Sequence, residues 1–168
     1  CELKVVGEDG RELPAGRDGE VLVRGPNVAT GYWNSPRESE QTFRNGWYHS
    51  GDLGHLDAEG HLHVVARKKD LIISGGENVY PAELERVLLT HPSVAEAAVI
   101  GRPDPKWQEV PAAYVVLRAG MSADAAMLKA HVAGELARFK VPRDVMFVDS
   151  LPRNVMGKVQ HFRLRDVA

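Results

Sequence analysis

Short alternating apolar runs fill the first third of the chain, and helical spacings enter only after Arg67. Residues 2–6 (ELKVV) and 20–24 (EVLVR) are β-prone, with turn chemistry between them at Glu8-Asp9-Gly10 and Pro14-Ala15-Gly16. Ser35 before Pro36 reads as an N-cap and first helical residue, which predicts a short helix over 36–43 that stops at Asn45-Gly46. Trp47–Gly54 leads into a strand, Asp57-Ala58-Glu59-Gly60 is a hairpin turn, and His61–Val65 alternates as the returning strand. Residues 1–65 therefore read as small antiparallel β structure.

Beyond Arg67 the apolar run Leu71-Ile72-Ile73 meets the pair Gly75-Gly76, and Pro81 opens a helix; the pattern predicts strand, turn, helix. Helix 81–90 precedes a strand over 94–100, a loop with Pro103 and Pro105, and a strand over 111–117. A longer helix is expected over 123–138, capped by Ser122, with Leu128, Val132 and Leu136 on one face. A strand over 145–148 follows, and the tail from Leu151 to Ala168 reads as a polar loop and a short basic helix. The fold class is α+β: a small antiparallel β subdomain (1–67), then a compact C-terminal α+β domain (68–168), with two helices on one face and the boundary near Lys68-Lys69.

Composition narrows the class. The chain has 168 residues, 43% apolar and 26% charged, as in soluble globular proteins. No apolar run approaches the ~20 residues that span a bilayer, and Glu2, Lys4, Glu8 and Asp9 break any signal-peptide core. A net charge of −2 gives no support to a nucleic-acid partner. The single cysteine, Cys1, excludes an internal disulfide and a multi-cysteine metal site, which fits a cytoplasmic protein. Because the chain starts at Cys1 inside a strand-like run, it is expected to be part of something longer.

Few residues carry chemistry by themselves. Gly157-Lys158 could bring an ammonium to a phosphate, yet Pro152 and Val159 rule out a P-loop. Asp52, in Ser50-Gly51-Asp52, could accept hydrogen bonds from a diol, although the tripeptide also reads as a turn. Gly75-Gly76 permits close approach to the backbone and positive φ. His61 and His63 share a strand face without an apparent third ligand, so no structural metal is expected. Trp47 and Trp107 read as core or interface residues, and Gln41, Arg44 and the tail arginines as solvated.

In their order these pieces are specific. Gly19–Pro26 with Gly31-Tyr32-Trp33, Trp47–Gly54, Arg67–Glu85 and Leu151–Lys158 resemble four blocks of the C-terminal part of the adenylate-forming (AMP-binding) superfamily. That superfamily includes acyl-CoA synthetases, peptide-synthetase adenylation domains and luciferases, and the SGGENVYPAELE run is most similar to acyl-CoA synthetases (fatty-acid–CoA ligases). The resemblance covers almost the whole chain. It implies an acid–thiol ligase that uses ATP, Mg²⁺ and coenzyme A, makes an acyl-adenylate, and releases AMP and pyrophosphate. It implies ribose binding by Asp52, a second nucleotide contact from Arg67, a hinge at Lys69, a coenzyme A channel bordered by Gly75 and Gly76, and Lys158 as the catalytic cation. The partners it implies are a carboxylic acid, ATP, coenzyme A and an N-terminal domain of the same chain, with no nucleic acid and no transmembrane segment.

Three positions depart from the family pattern. Ser50 stands where Thr is usual, Ala66 where Gly is usual, and Gln108 where Gly is usual after Trp107. Neither a phosphate loop nor an acyl pocket is recognisable in the chain, so the piece is expected to be inactive alone. Two alternatives stand beside the ligase reading: loading of a carrier-protein thiol, and a non-catalytic module that binds nucleotide or a partner protein. If the boundary reading is right, limited trypsinolysis cuts first near Lys68-Lys69; early cleavage inside 81–150 instead would count against it.

Overall fold

A computed structural model describes residues 1–165, and the chain divides into two compact units, Cys1–Lys69 and Asp70–Ala168. The first is built on an antiparallel sheet. Its strands are β1 (Glu2–Val6), β2 (Gly19–Arg24), β3 (Phe43–Arg44), β4 (Trp47–Leu56) and β5 (Leu62–Arg67), with helix α1 (Pro36–Thr42) between β2 and β3. The long β4 is the spine: β2 pairs along one side of it, while β3 and β5 pair with its two ends. Val5, Val6, Val21, Leu22 and Leu53 are the buried apolar residues of this sheet; the neighbours Val5-Val6 and Val21-Leu22 point to opposite faces, so the sheet is covered on both sides where β1 pairs with β2.

The second unit begins with β6 (Ile72–Ser74) and β7 (Glu77–Val79), then α2 (Pro81–Leu89), β8 (Val94–Asp104), β9 (Gln108–Leu117), α3 (Ala125–Glu135), β10 (Asp144–Phe147) and α4 (His161–Leu164). Strand β9 is central: β8 pairs antiparallel along it, β10 runs parallel to it, and β6 meets it at Ser74↔Gln108. The period-2 pattern of β8 and β9 sends side chains to two different cores. Val99, Ala113 and Val115 pack with Leu84, Val87 and Leu88 of α2 and Leu128 and Val132 of α3. Ala98, Ile100 and Tyr114 pack with Leu151 and Leu164 of the tail. One face of the sheet thus carries the two helices, and the other is crossed by the tail. No helix among the described residues is long and apolar enough to cross a membrane.

The α+β class and the antiparallel sheet of the first unit are those read from the sequence, while several local elements differ. Gly75 and Gly76 take φ of +61° and +87° and join β6 to β7 as a two-residue hairpin, so α2 follows a returning strand rather than a turn. Positive φ at both central residues is the condition for a type I′ turn, whose twist matches that of the flanking strands. The expected loop at Pro103 and Pro105 is a tight hairpin end: β8 continues to Asp104, whose Oδ1 accepts from the N–H groups of Lys106 and Trp107 at 2.8 and 2.9 Å. Pro103 fits there because β8 has only β9 as a neighbour. Helix α3 is capped by Asp124, which accepts from Met127 N–H, and not by Ser122. Ser35 likewise makes no side-chain cap on α1. The last three residues of the expected tail helix lie outside the described residues.

Two of the family departures now have a structural reading. Ala66 pairs with Leu53 beside the register shift that skips Val65, and it is not among the residues with positive φ, so the methyl group meets no backbone penalty there. Gln108 has φ +66°, which explains why glycine is the usual residue: an L side chain in the left-handed region costs roughly 1–2 kcal/mol. Gln108→Gly should therefore stabilise the second unit by about 0.5–1 kcal/mol once the extra chain entropy of glycine is counted. A higher melting temperature checks this, and an unchanged or lower one contradicts it.

Candidate active site

In the first unit the expected nucleotide residues come together at the β4–β5 register. Asp52 lies opposite Arg67, and Arg67 Nε approaches Asp52 Oδ1 at 3.1 Å. Arg67 also donates through Nη1 to the Ser50 carbonyl at 2.8 Å. The Ser50 hydroxyl both donates and accepts: it donates to the Val21 carbonyl at 2.7 Å and accepts from the Asp52 N–H at 3.0 Å. That is the work a threonine hydroxyl would do, so the third departure leaves the local hydrogen bonds intact. Together these bonds fix the Asp52 backbone and orient its carboxylate, while a carboxylate retains lone pairs for a diol after accepting from one arginine.

Charge is concentrated beside this pair. A small cleft of about 430 Å³ is lined by Gly51, Arg67, Lys68 and Lys69, three of them cations. Lys68 Nζ reaches Glu20 Oε2 at 3.0 Å, and His49 Nδ1 lies 3.6 Å from the same oxygen. Burial pushes the Glu20 carboxyl up, but Lys68 and His49 together outweigh it and hold it below its ordinary range. Burial, reinforced by the nearby Arg44 and Lys68 charges, pushes the His49 imidazole down despite Glu20, so His49 is neutral near pH 7. Arg44 is not merely solvated, since its Nη2 lies 3.3 Å from His49 Nδ1. Lys69, the expected hinge, is exposed in the 3-10 turn Lys68–Asp70.

In the second unit the glycine hairpin borders a cleft of about 1130 Å³, whose lining includes Gly75, Trp107, Lys129, Arg138, Phe139 and Arg143. Trp107 is 41% exposed and so is not a core residue. Its ring covers Gly75 closely enough that an added Cβ would lie 2.6 Å from a ring carbon, and Gly75 N–H donates to the Trp107 carbonyl at 2.9 Å. Lys106 lies over the outer ring face at 4.7 Å.

Lys158 stands at the base of a turn held by its own polar groups. Gly157 N–H donates to the Asn154 carbonyl at 2.9 Å, and Asn154 N–H to the Lys158 carbonyl at 2.9 Å. Asn154 Oδ1 accepts from Met156 and Lys158 N–H at 3.0 and 2.9 Å. The tip residues Val155 and Met156 are almost fully exposed, and Lys158 is exposed. One tail arginine read as solvated is exposed but also partnered: Arg153 pairs with Glu96 on β8 and donates to the Gly157 carbonyl at 2.6 Å. Sequence reasoning also missed Glu85 and His161, which meet at 3.0 Å just after the lysine turn.

The histidine pair did acquire a third group. His63 Nε2 and His61 Nδ1 lie 2.9 and 3.3 Å from Asp57 Oδ2, and the ligating atoms of Asp57, Glu59 and His61 fall within 4.8 Å of one another. The turn itself accounts for the clustering, because Asp57 Oδ1 accepts from the N–H groups of Glu59 and His61.

Comparison with known proteins identifies the class. Residues 83–158 match the family model of the AMP-binding enzyme C-terminal domain. Over 167 residues the chain is 47% identical to an indoleacetate–CoA ligase of Aromatoleum aromaticum, covering 99% of this chain and 33% of that protein. It superposes on o-succinylbenzoate CoA synthetase of Bacillus subtilis in complex with its acyl-adenylate intermediate with a TM-score of 0.91 and 47% identity, over 98% of this chain and 34% of that one. The amide bond synthetase McbA of Marinactinospora thermotolerans gives a TM-score of 0.90 at 40% identity, over 99% of this chain and 34% of that one. The chain belongs to the adenylate-forming, AMP-binding enzymes and corresponds to their C-terminal part. It spans about a third of the length of the curated relatives it matches.

The two hairpin glycines should respond differently to a methyl group. Gly75→Ala meets both positive φ and the Trp107 ring, whereas Gly76→Ala meets only the backbone penalty, with nothing within 4 Å. Gly75→Ala should cost about 2–3 kcal/mol and Gly76→Ala about 1 kcal/mol, read from denaturant midpoints; equal losses would show that Trp107 moves aside freely.

Proposed function

We propose that this chain is the C-terminal part of an ATP-dependent acid–CoA ligase. The enzyme joins a carboxylic acid to AMP from MgATP and then transfers the acyl group to the thiol of coenzyme A. The observation that carries the reading is the pairing of a glycine hairpin at the mouth of a cationic, aromatic-lined cleft with a lysine presented on a built turn in one unit. Lys129, Arg138 and Arg143 suit the phosphates of a nucleotide-bearing thiol, and Trp107 and Phe139 suit its base.

In this reading residues 1–67 end the large AMP-binding domain and 68–168 form the mobile C-terminal domain, with Lys69 as the hinge that absorbs the backbone rotation. Asp52 takes the ribose hydroxyls, with Arg67 and Ser50 holding it in register. A carboxylate is a poor acylating agent because its leaving group is oxide. Its attack on the α-phosphate joins two anions, forms an acyl–phosphate bond and expels pyrophosphate, and Lys158 stabilises the charge that gathers on those oxygens. The thiol then attacks the acyl carbon and AMP leaves. Gly75 and Gly76 border the thiol's channel, where a side chain would obstruct it. ATP and coenzyme A as substrates fit a cytoplasmic enzyme.

The acid itself is chosen by residues outside this chain. The fatty-acid expectation finds no support in the names of the relatives, since indoleacetate and o-succinylbenzoate are aromatic acids. Likeness to an amide bond synthetase makes an amine a competing acceptor; a carrier-protein thiol is the other.

AMP release by the full-length protein, with MgATP, coenzyme A and a panel of aryl and alkyl acids, tests the proposal beside Lys158→Ala. Acid-dependent release that falls roughly 100- to 1000-fold in the variant is expected, with thioester formed from free coenzyme A. Release unaffected by Lys158→Ala would remove the lysine from its role. Turnover only with an amine or a carrier protein would reassign the acceptor.

A further inference from the structure

The turn that presents Lys158 is fastened at both ends to the sheet, by two different carboxylates. Before the turn, Arg153 pairs with Glu96 on β8 and braces the Gly157 carbonyl. After it, His161 Nε2 meets Glu85 Oε1 at 3.0 Å. Glu85 lies on α2, and the same oxygen accepts from Val99 N–H at 2.8 Å on β8. One carboxylate therefore joins α2, β8 and α4 three residues beyond the lysine. This is also the better buried pair: the His161 and Glu85 side chains are 30% and 20% exposed, against 44% and 38% for Arg153 and Glu96. Solvent weakens it less.

We infer that Glu85 and His161 are a positioning pair for Lys158: the imidazolium held on Glu85 fixes the chain from which the lysine projects, and so tunes the half-reaction that uses the lysine. This rests on the ligase reading. Neither residue need touch a substrate.

The pair gives that half-reaction a pH dependence of its own. The charged groups facing His161 are Glu85 from α2, Asp70 from the 3-10 turn and Lys158 from its own loop. The hydrogen bond to Glu85 is the largest influence and raises the imidazole above its ordinary range. Burial opposes it, the Glu85 and Asp70 charges add to it, and Lys158 subtracts. A raised value means that the folded arrangement favours the protonated ring. The pair is complete below the ordinary histidine value of 6.5 and is lost as pH climbs through the raised one. Adenylation should then decline on the alkaline side, while thioester formation from preformed acyl-adenylate, which does not use Lys158, should not follow it.

The two half-reactions, measured against pH in the full-length enzyme, separate positioning from general stability. His161→Gln should lower adenylation roughly fivefold on the acid side and flatten the alkaline limb. Glu85→Gln, which keeps an acceptor for Val99, should do the same. His161→Arg, charged throughout, should restore the rate and remove the limb. Equal losses in both half-reactions, or a wild-type profile in His161→Gln, would overturn the inference. A second arm needs no turnover. In the 168-residue chain, the His161 ring protons should titrate above the ordinary value and return toward it in Glu85→Gln. Amide exchange at Gly157 and Lys158 should quicken roughly fivefold in His161→Gln at acid pH. Unchanged exchange would refute the pair. Absence of adenylation with every acid would refute the ligase reading alone, and leave this second arm to decide the pair.

Discussion

Everything in the second unit depends on β8 and β9 being buried on both faces. A sheet with one wet face would leave the tail free. Here Ala98, Ile100 and Tyr114 form a second apolar surface, and Leu151 and Leu164 cover it. Fully burying a leucine is worth about 1.5–3 kcal/mol, so the two together hold the segment between them against the entropy of a loose end. The Tyr114 hydroxyl donates to the Leu164 carbonyl at 2.8 Å, which satisfies a polar group that would otherwise be costly to bury. The lysine turn lies between these two anchors. Its position follows from this burial together with the polar pairs at its two ends, not from contacts made by the lysine ammonium.

That arrangement suits a cation meant to act on something else. An ammonium already paired within its own unit would have to break that pair before stabilising a substrate anion. Among the described residues Lys158 enters no ion pair, and its turn is fixed instead by the Asn154 and Arg153 side chains, which hydrogen-bond the backbone of Met156, Gly157 and Lys158. Preorganisation of this kind places the charge without spending it. The glycine hairpin works by the opposite means: Trp107 lies on Gly75, and only the lack of a side chain lets backbone and ring come so close.

What was legible in the sequence divides along physical lines. Periodicity exposed the longer strands and the Leu128–Val132 face of α3, because side chains alternate or recur at spacings visible within a dozen residues, and proline marked the starts of α1 and α2. The functional blocks were legible as motifs, and Asp52 and Arg67 do meet. The hairpin after β6 was missed because strand β7 is three residues long, too short to show a period, and the Asp124 cap because Ser122 offers the same chemistry two residues earlier. The pairs Glu85–His161 and Glu96–Arg153 span 76 and 57 residues. No local pattern reports such pairs; only the topology that lays the tail across the edge of β8 brings them together. Asp57 with His61 and His63 was hidden for a similar reason, since a turn residue folds back onto the strand it precedes.

The three departures from the family pattern show why a motif must be reread as geometry. Ser50 keeps the hydroxyl and therefore both hydrogen bonds, so the change is silent locally. Ala66 keeps negative φ beside the β5 register shift, so glycine's conformational freedom is not needed there and the methyl group lowers the entropy of the unfolded chain. Gln108 alone takes a conformation that its side chain disfavours. It persists because the ten paired positions of β8 and β9 dictate where that hairpin ends, and Asp104 holds the turn from inside. Strain of this size is small beside the burial that imposes it. It is tolerated at the hairpin tip next to Trp107, the residue that covers Gly75, so the backbone at the mouth of the cleft is set by the sheet and not by the preferences of the residues that line it.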